Sequence, residues 1–335
     1  MPFRPASPTR YAFAPDSLTR KLRLGQLLIF DSVLQTHSFA AAAQRLAMTQ
    51  SAVTKAIQEL ESFLDAKLFE RTNRGVRPTE FGLRMGEHAH VILAEMRYMT
   101  DSLNELRLGD AGHIVVGTLT TASSPLLSDA IHMLRARHPK INVSITVGDR
   151  TQLYGYLIEG RVDIIVGALP SVPMDRDELI AYHLLYEDNL YVVAGYQHPM
   201  AAQSGLTLHD LQTYPWILPS RESIVRVKVD KLFADVGLPL PPDLIESLSP
   251  ITNIGLLMDQ RSLSFMSGGL AKVFVTSQLL TRINLGEQWS FGSVGYAIRA
   301  NRLPSHATES FIACLKQQAE ILAPRNESPD RQAAT

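Results

Sequence analysis

The spacing of apolar residues changes twice along this 335-residue chain, and each change marks a new kind of element. From Leu22 onward Leu24, Leu27, Leu28, Phe30 and Leu34 recur at helical spacing. His37-Ser38 ends that helix and caps the next. Residues 38–64 then predict two more helices joined by Ala47-Met48-Thr49, with Thr49 the N-cap and Gln50 in the first turn. In residues 67–82 two short extended pieces flank the turn signal Asn73-Arg74-Gly75, which predicts a β-ribbon "wing". Thr79 caps a long helix running to about Leu108. Its stripe of Leu83, Leu93, Met96, Met99, Leu103 and Leu106 is broken only by His90. A solitary helix cannot bury such a stripe, so we expect a dimerisation helix, with an intramolecular bundle as the alternative. Gly82 and Gly86 weaken its start and would let the preceding module pivot.

After the linker Gly109-Asp-Ala-Gly112 the pattern becomes strand and helix in alternation. Strands are expected at His113–Leu119, Asn142–Gly148 and Val162–Leu169, with helices at Pro125–Ala136 and Gln152–Glu159 between them. Short loops between alternating elements imply a parallel sheet with right-handed crossovers. A second α/β unit follows. Its strands lie near Leu190–Ala194, Trp216–Leu218, Ser262–Met266 and Gly295–Arg299, and its helices near Arg226–Val236, Ile251–Gln260 and Gly269–Thr276. A last helix runs from Thr308 to about Leu322.

Charge sharpens this division. Residues 1–78 hold eleven basic and six acidic residues, net +5, against −6 for the remaining 257. A basic module on an acidic body fits local phosphate contact better than global electrostatic binding. The single cysteine, Cys314, excludes an intramolecular disulfide and reads as a core thiol. No apolar run approaches the roughly 18 residues that span a bilayer. The first twenty residues lack the apolar core of a signal peptide. They read as a disordered extension on a cytoplasmic protein, and residues 324–335 read as a polar tail.

On a wheel of about 100° per residue with Ser51 at zero, Val53, Ala56, Ile57, Leu60, Phe63 and Leu64 fill one apolar arc. Ser51, Thr54, Lys55 and Gln58 face the other way, flanked by Glu59 and Glu61. A helix lying in a DNA groove needs such a face. Gln can bond adenine, Lys can reach guanine, and Ser or Thr can bond phosphate. Any amphipathic surface helix shares part of this pattern. The tight turn, the alanines Ala40–Ala43 that allow close helix approach, and the basic wing with Arg71, Arg74 and Arg77 add to it.

Several motifs in fixed order resemble the LysR-type transcriptional regulators. They are Ser38-Phe-Ala-Ala-Ala-Ala-Gln-Arg-Leu46, Thr49-Gln-Ser-Ala-Val-Thr-Lys-Ala-Ile-Gln-Glu-Leu-Glu61, Leu68-Phe-Glu-Arg71 and Pro78-Thr-Glu-Phe-Gly82. The resemblance covers about residues 22–322. It implies an α/β protein overall, with an N-terminal winged helix-turn-helix (21–79) and a linker and dimerisation helix (80–111). A two-lobed α/β effector domain akin to periplasmic binding proteins would follow (112–323), with lobe I about 112–187 and 291–323 and lobe II about 188–290. The implied partners are promoter DNA, a small-molecule inducer, further copies of the chain as a dimer of dimers, and RNA polymerase. The matching DNA-contacting positions are Ser38, Gln50, Ser51, Thr54, Lys55, Gln58, Arg71 and Arg74. Gln58 stands where many members carry Arg or Lys.

In parallel α/β sheets ligands sit beyond the carboxyl ends of strands. Here those ends are Thr118–Ser124, Gly148–Thr151 and Gly167–Leu169. Thr120, Thr121 and Ser123 crowd the start of the Pro125 helix, with Ser124 its N-cap, and Arg150 and Thr151 could supply a charge partner for an anion. Turn capping would account for all of these hydroxyls as well. The resemblance places Thr121 and Arg150-Thr151 in the effector pocket, joined from the other lobe by Ser220, Phe265 and Ser267. A small carboxylate, an aromatic or sugar acid, fits that setting. No nucleophile elbow, phosphate loop, dinucleotide fingerprint or metal motif is present, so no cofactor, metal or catalytic activity is expected. A solute-binding module would need a signal peptide or anchor, and an α/β enzyme would need a catalytic constellation.

Overall fold

The computed structural model describes residues 18, 20–72, 75–108, 111–119, 125–171, 177–221 and 223–322. The expected N-terminal extension and C-terminal tail lie outside them, save for residues 18 and 20. Two compact units result. The first holds residues up to Thr100 together with Glu159–Arg161, and the second holds the rest.

In the first unit α1 (Leu24–Thr36), α2 (Phe39–Arg45) and α3 (Gln50–Leu64) follow one another with short joints. Each joint has a local cause. His37 and Ala47 take left-handed φ of 51° and 52°, which turn the chain sharply. Ser38 Oγ accepts from Ala41 N at 3.3 Å, and Thr49 Oγ1 accepts from Ala52 N at 3.2 Å, so both are N-caps. The methyl groups of Ala42 and Ala43 are buried, which lets α2 lie close on its neighbours. Phe30, Val53, Ile57, Leu60 and Leu68 form the centre of the core. The Phe69 ring packs on Phe30, with centroids 5.3 Å apart.

The wing is the antiparallel pair β1 (Phe69–Thr72) and β2 (Gly75–Pro78). Val76 N donates to His37 O at 3.0 Å, tying the wing to the end of α1. Only glycine fits at position 75: φ is +131°, and a Cβ would stand 2.7 Å from His37 O. Thr79 caps α4 (Glu80–Leu108) by accepting from Gly82 N at 3.0 Å. The two glycines expected to loosen this helix also lie close against neighbouring elements. A Cβ on Gly82 would meet Leu68 O at 2.2 Å, and one on Gly86 would meet Leu34 Cδ2 at 2.7 Å. They are points of close approach that seat the helix on the wing module.

In the second unit the elements run β3 (Gly112–Leu119), α5 (Pro125–Arg137), β4 (Ile141–Gly148), α6 (Arg150–Ile158), β5 (Ile164–Ala168) and β6 (Ile180–Gly195). They continue with β7 (Trp216–Leu218), α7 (Ile224–Asp235), β8 (Leu244–Glu246), α8 (Pro250–Leu257) and β9 (Leu263–Ser267). The unit ends with α9 (Gly268–Thr276), β10 (Leu280–Arg282), β11 (Trp289–Arg299) and α10 (His306–Leu322). The hydrogen-bonded order is β4-β3-β5-β11-β6-β9-β7-β8, with β10 also on β6. The trio β4-β3-β5 is parallel, as expected; β9-β7-β8 is parallel too, with β8 a short strand that the apolar pattern did not show. The long antiparallel pair β6 and β11 joins them, so the sheet is mixed rather than parallel throughout. Only Leu190–Ala194 of β6 is a continuous apolar run; Tyr-His-Leu-Leu-Tyr-Glu-Asp-Asn before it mixes polar and apolar, buried and exposed residues, which hides it from a hydrophobic pattern. Register shifts at Ser290/Gly292 and Val294/Gly295 bend β11 midway.

Phe311, Cys314 and Leu315 of α10 pack with Ile114, Val116 and Leu134 at one end of the core. At the other end Trp216 stacks on Phe265, centroids 5.1 Å apart, and meets Phe233 edge-on. Cys314 is a buried core thiol, and burial holds it above the ordinary thiol pKa. Among the described residues no helix is long and apolar enough to cross a membrane.

Candidate functional sites

The outer face of α3 carries Gln50, Ser51, Lys55 and Gln58, all exposed, with Thr54 half buried. The opposite face buries Val53, Ile57, Leu60 and Leu64, so the helix divides as its wheel predicts. Thr54 and Gln58 line a shallow dent of about 250 Å³ whose far wall includes Arg71 of β1 and Phe39. Helix face and wing therefore share one surface. Lys55 has a long 3.9 Å contact to Glu59, with both side chains largely in water, which leaves the ammonium available to phosphate. Arg74 lies outside the described residues. Ser38 is half buried and its hydroxyl caps α2.

Glu61, expected to flank the polar face, is instead buried. Its carboxylate accepts from Leu68 N at 2.8 Å and Phe69 N at 3.3 Å, and pairs with Lys67 at 2.7 Å. It holds the end of α3 to the start of the wing. His90 is also inside the unit, where it contacts Asp31 at 2.7 Å and Glu159 at 2.8 Å. Burial works against its charge, but the two carboxylates prevail and lift its pKa to about 9. His90 therefore does not interrupt the stripe of α4 but turns away from it. Leu83, Met99, Leu103 and Leu106 of that stripe are exposed in the single chain.

The second unit contains a cleft of about 390 Å³ at the carboxyl ends of β3, β4 and β5. Arg150 and Ser220 line it, as expected. Thr151 does not: it is the second residue of α6, one step round the helix from Arg150, and faces water. Phe265 and Ser267 line an adjoining, smaller cavity of about 80 Å³ that shares Val225, Leu248 and Phe291 with the cleft. Phe265 also stacks on Trp216. Thr120, Thr121, Ser123 and Ser124 lie outside the described residues.

Two features of the cleft were not foreseen. Lys228 of α7 lines it, with Nζ donating to the Phe291 carbonyl of β11. Burial lowers the lysine's pKa, and Glu187 partly offsets this. Ser223 lines it too; it is the N-cap of α7, yet its hydroxyl makes no cap bond. A lysine on an amphipathic helix reads as a solvated charge, so nothing in the sequence singled it out. Asp149 lines the cleft as well, but its Oδ1 accepts from Gln152 N at 2.8 Å and is spent on starting α6. Arg150 keeps a buried Nε with no partner, and among the described residues no carboxylate lies within ion-pair distance of it.

A winged helix-turn-helix, a long helix and an α/β domain with a polar cleft define the class: a DNA-binding regulator with a small-molecule effector domain. Residues 24–83 match the family model of the bacterial regulatory helix-turn-helix protein, lysR family, and residues 107–320 match the LysR substrate binding domain. The chain belongs to the LysR family of transcriptional regulators; it is a transcription factor and not an enzyme. The HTH-type transcriptional regulator GbpR of Azospirillum brasilense is 28% identical over 304 residues, covering 90% of this chain and 88% of its own. A full-length OxyR variant from Pseudomonas aeruginosa shares the fold with a TM-score of 0.66 at 21% identity, over 88% of this chain and 98% of its own. Full-length CbnR complexed with its target DNA superposes with a TM-score of 0.63 at 22% identity, over 88% of this chain and 99% of its own.

Proposed function

We propose that this chain is a sequence-specific cytoplasmic regulator that reads its operator with the outer face of α3 and the wing. Gln50, Ser51, Thr54, Lys55 and Gln58 would contact base edges and phosphates, with Ser38, Arg71 and Arg74 on the backbone. CbnR, which shares the fold and was solved on its target DNA, supports this reading. The exposed stripe of α4 would be covered by the same helix of a second copy, and dimers would pair into tetramers that engage RNA polymerase at the promoter.

The inducer is a small carboxylate, an aromatic or sugar acid, held in the cleft between lobe I (about 112–187 and 291–323) and lobe II (about 188–290). The observation that carries this is Arg150, a guanidinium whose buried Nε has no partner among the described residues, in a cleft where Asp149, the one carboxylate among the described lining residues, is already engaged. Such a group stays costly until an anion satisfies it. Ligand would close or reorient the lobes and so change the spacing of DNA modules in the oligomer.

A thermal-shift screen of benzoates and sugar acids beside their carboxamides tests the ligand class. Acids should raise the melting temperature; stabilisation by neutral or cationic compounds alone would overturn it. A gel shift on the DNA upstream of the gene tests the DNA reading.

A further inference from the structure

We propose that Lys228, and not only Arg150, receives the acid group of the inducer, and that the body of that molecule is an apolar ring. This rests on the carboxylate reading of the cleft and narrows it.

The argument begins with the position of the lysine. Helix α7 starts beside the cleft, and Lys228 stands on its second turn with Nζ turned toward β11 rather than water. Its acceptor is a neutral carbonyl, that of Phe291. An ammonium has three donors, so one carbonyl leaves capacity for a ligand oxygen. Glu187 acts on it through its charge but forms no ion pair with it among the described residues, and its Oε1 accepts from Ser293 Oγ at 2.6 Å. Among the described residues the lysine is thus a half-buried cation without a committed counter-ion, which is costly unless a ligand supplies one.

The surroundings keep that position open. Gly292 follows the acceptor carbonyl with φ of +115°, and a Cβ there would stand 2.8 Å from Nζ. Glycine at 292 therefore leaves the room the ammonium occupies. Ser223 lines the same cleft at the start of α7 with its hydroxyl unused for capping. It can give a carboxylate a second hydrogen bond beside the positive end of the twelve-residue helix. Lys228 and Ser223 lie on one segment, and Arg150 lies on the other lobe. An acid bound to both cations would draw the two lobes together.

The walls describe the remainder of the ligand. Leu119, Val225, Leu248 and Phe291 all face the cleft. An aromatic ring fits these side chains, while Ser171, Ser220, Ser223 and Ser293 on the same lining can take its acid group and polar substituents. The volume of about 390 Å³ suits one ring with its substituents.

The test uses the full-length protein with benzoate, 3,4-dihydroxybenzoate and gluconate beside benzamide and 3,4-dihydroxybenzamide. Binding is read by thermal shift and calorimetry for the wild type, Lys228→Met, Lys228→Arg and Arg150→Gln. Circular dichroism melts confirm that each variant is folded. We expect an aromatic acid to bind the wild type, to lose at least about tenfold in Lys228→Met, and to recover most of that in Lys228→Arg. Benzamides should not distinguish the three. If Lys228→Met binds the acid as wild type does while Arg150→Gln loses it, the lysine assignment is wrong and the carboxylate reading stands. If gluconate binds and the aromatic acids do not, the ring assignment is wrong. If no acid stabilises the wild type, or amides bind as well as acids, the carboxylate reading itself fails and this inference falls with it.

Discussion

The DNA-facing surface and the effector cleft are built on opposite plans. Five residues of the proposed DNA face fall within positions 50–58 of one helix. The cleft draws on Leu119, Arg150, Ser220, Lys228 and Phe291, which are spread over more than half of the chain. A helix turns about 100° per residue, so its own sequence fixes which side chains share a face. In a cleft, the sheet order decides which distant residues meet, and a local pattern carries no record of that. The two surfaces should therefore fail differently when mutated. The DNA face depends on one helix and its seat on the module, while the cleft depends on individual groups in a large shared core.

The largest expected effect tests that dependence. Ile57 is buried beneath the DNA face, so Ile57→Ala should destabilise the winged module by about 2–5 kcal/mol. DNA binding should be lost at temperatures where inducer binding persists, measured by gel shift and calorimetry on one preparation. Joint loss of both would show that the two regions do not fail independently.

The second prediction concerns pH. His90 carries a pKa of about 9 against an ordinary value near 6.5, with Asp31 and Glu159 holding its charge. Because the folded value is raised, its contribution is complete below pH ~6.5 and is lost as pH rises through 9. The melting temperature of the wild type should thus fall between those values, relative to His90→Gln measured alongside. Equal pH profiles for the two proteins would mean that His90 is not charged in the folded state. Lys55→Ala should act more weakly. It leaves the fold intact and should lower DNA affinity by about 1 kcal/mol across sequences, with a salt slope smaller by about one. An unchanged slope would remove Lys55 from the DNA face.

This contrast also explains what could be read from the sequence. The caps Ser38, Thr49 and Thr79, the division of α3 and the glycine at the wing turn were legible because each is a local device. The trio β4-β3-β5 was legible from its apolar runs, whereas the three-residue β8 was not. Glu61 was misplaced because a charged residue on a helix reads as solvated, and His90 because its spacing put it in line with the α4 stripe; only the tertiary fold supplies the backbone amides and carboxylates that take them inside. The antiparallel bridge of β6 and β11 was hidden because the first half of β6 mixes polar and apolar, buried and exposed residues. Of the cleft, Arg150 was found from a strand end and Ser220 only through the family resemblance. Lys228 was not, since its meaning comes from a carbonyl 63 residues away.

The smallest expected effect separates neighbours. Arg150 and Thr151 were paired as cleft residues on sequence grounds, yet α6 begins at Arg150 and turns Thr151 toward water. Ser220, from a distant segment, lines the cleft. If tertiary position rather than adjacency governs the site, Ser220→Ala should weaken the acid that stabilises the wild type by about two- to tenfold, the worth of one hydrogen bond. Thr151→Ala should change it by less than about twofold. Calorimetry on both variants resolves that difference. A loss in Thr151→Ala equal to that in Ser220→Ala would mean that the first turn of α6 presents both its residues to the ligand, and that the effector site is more nearly contiguous than the cleft described above.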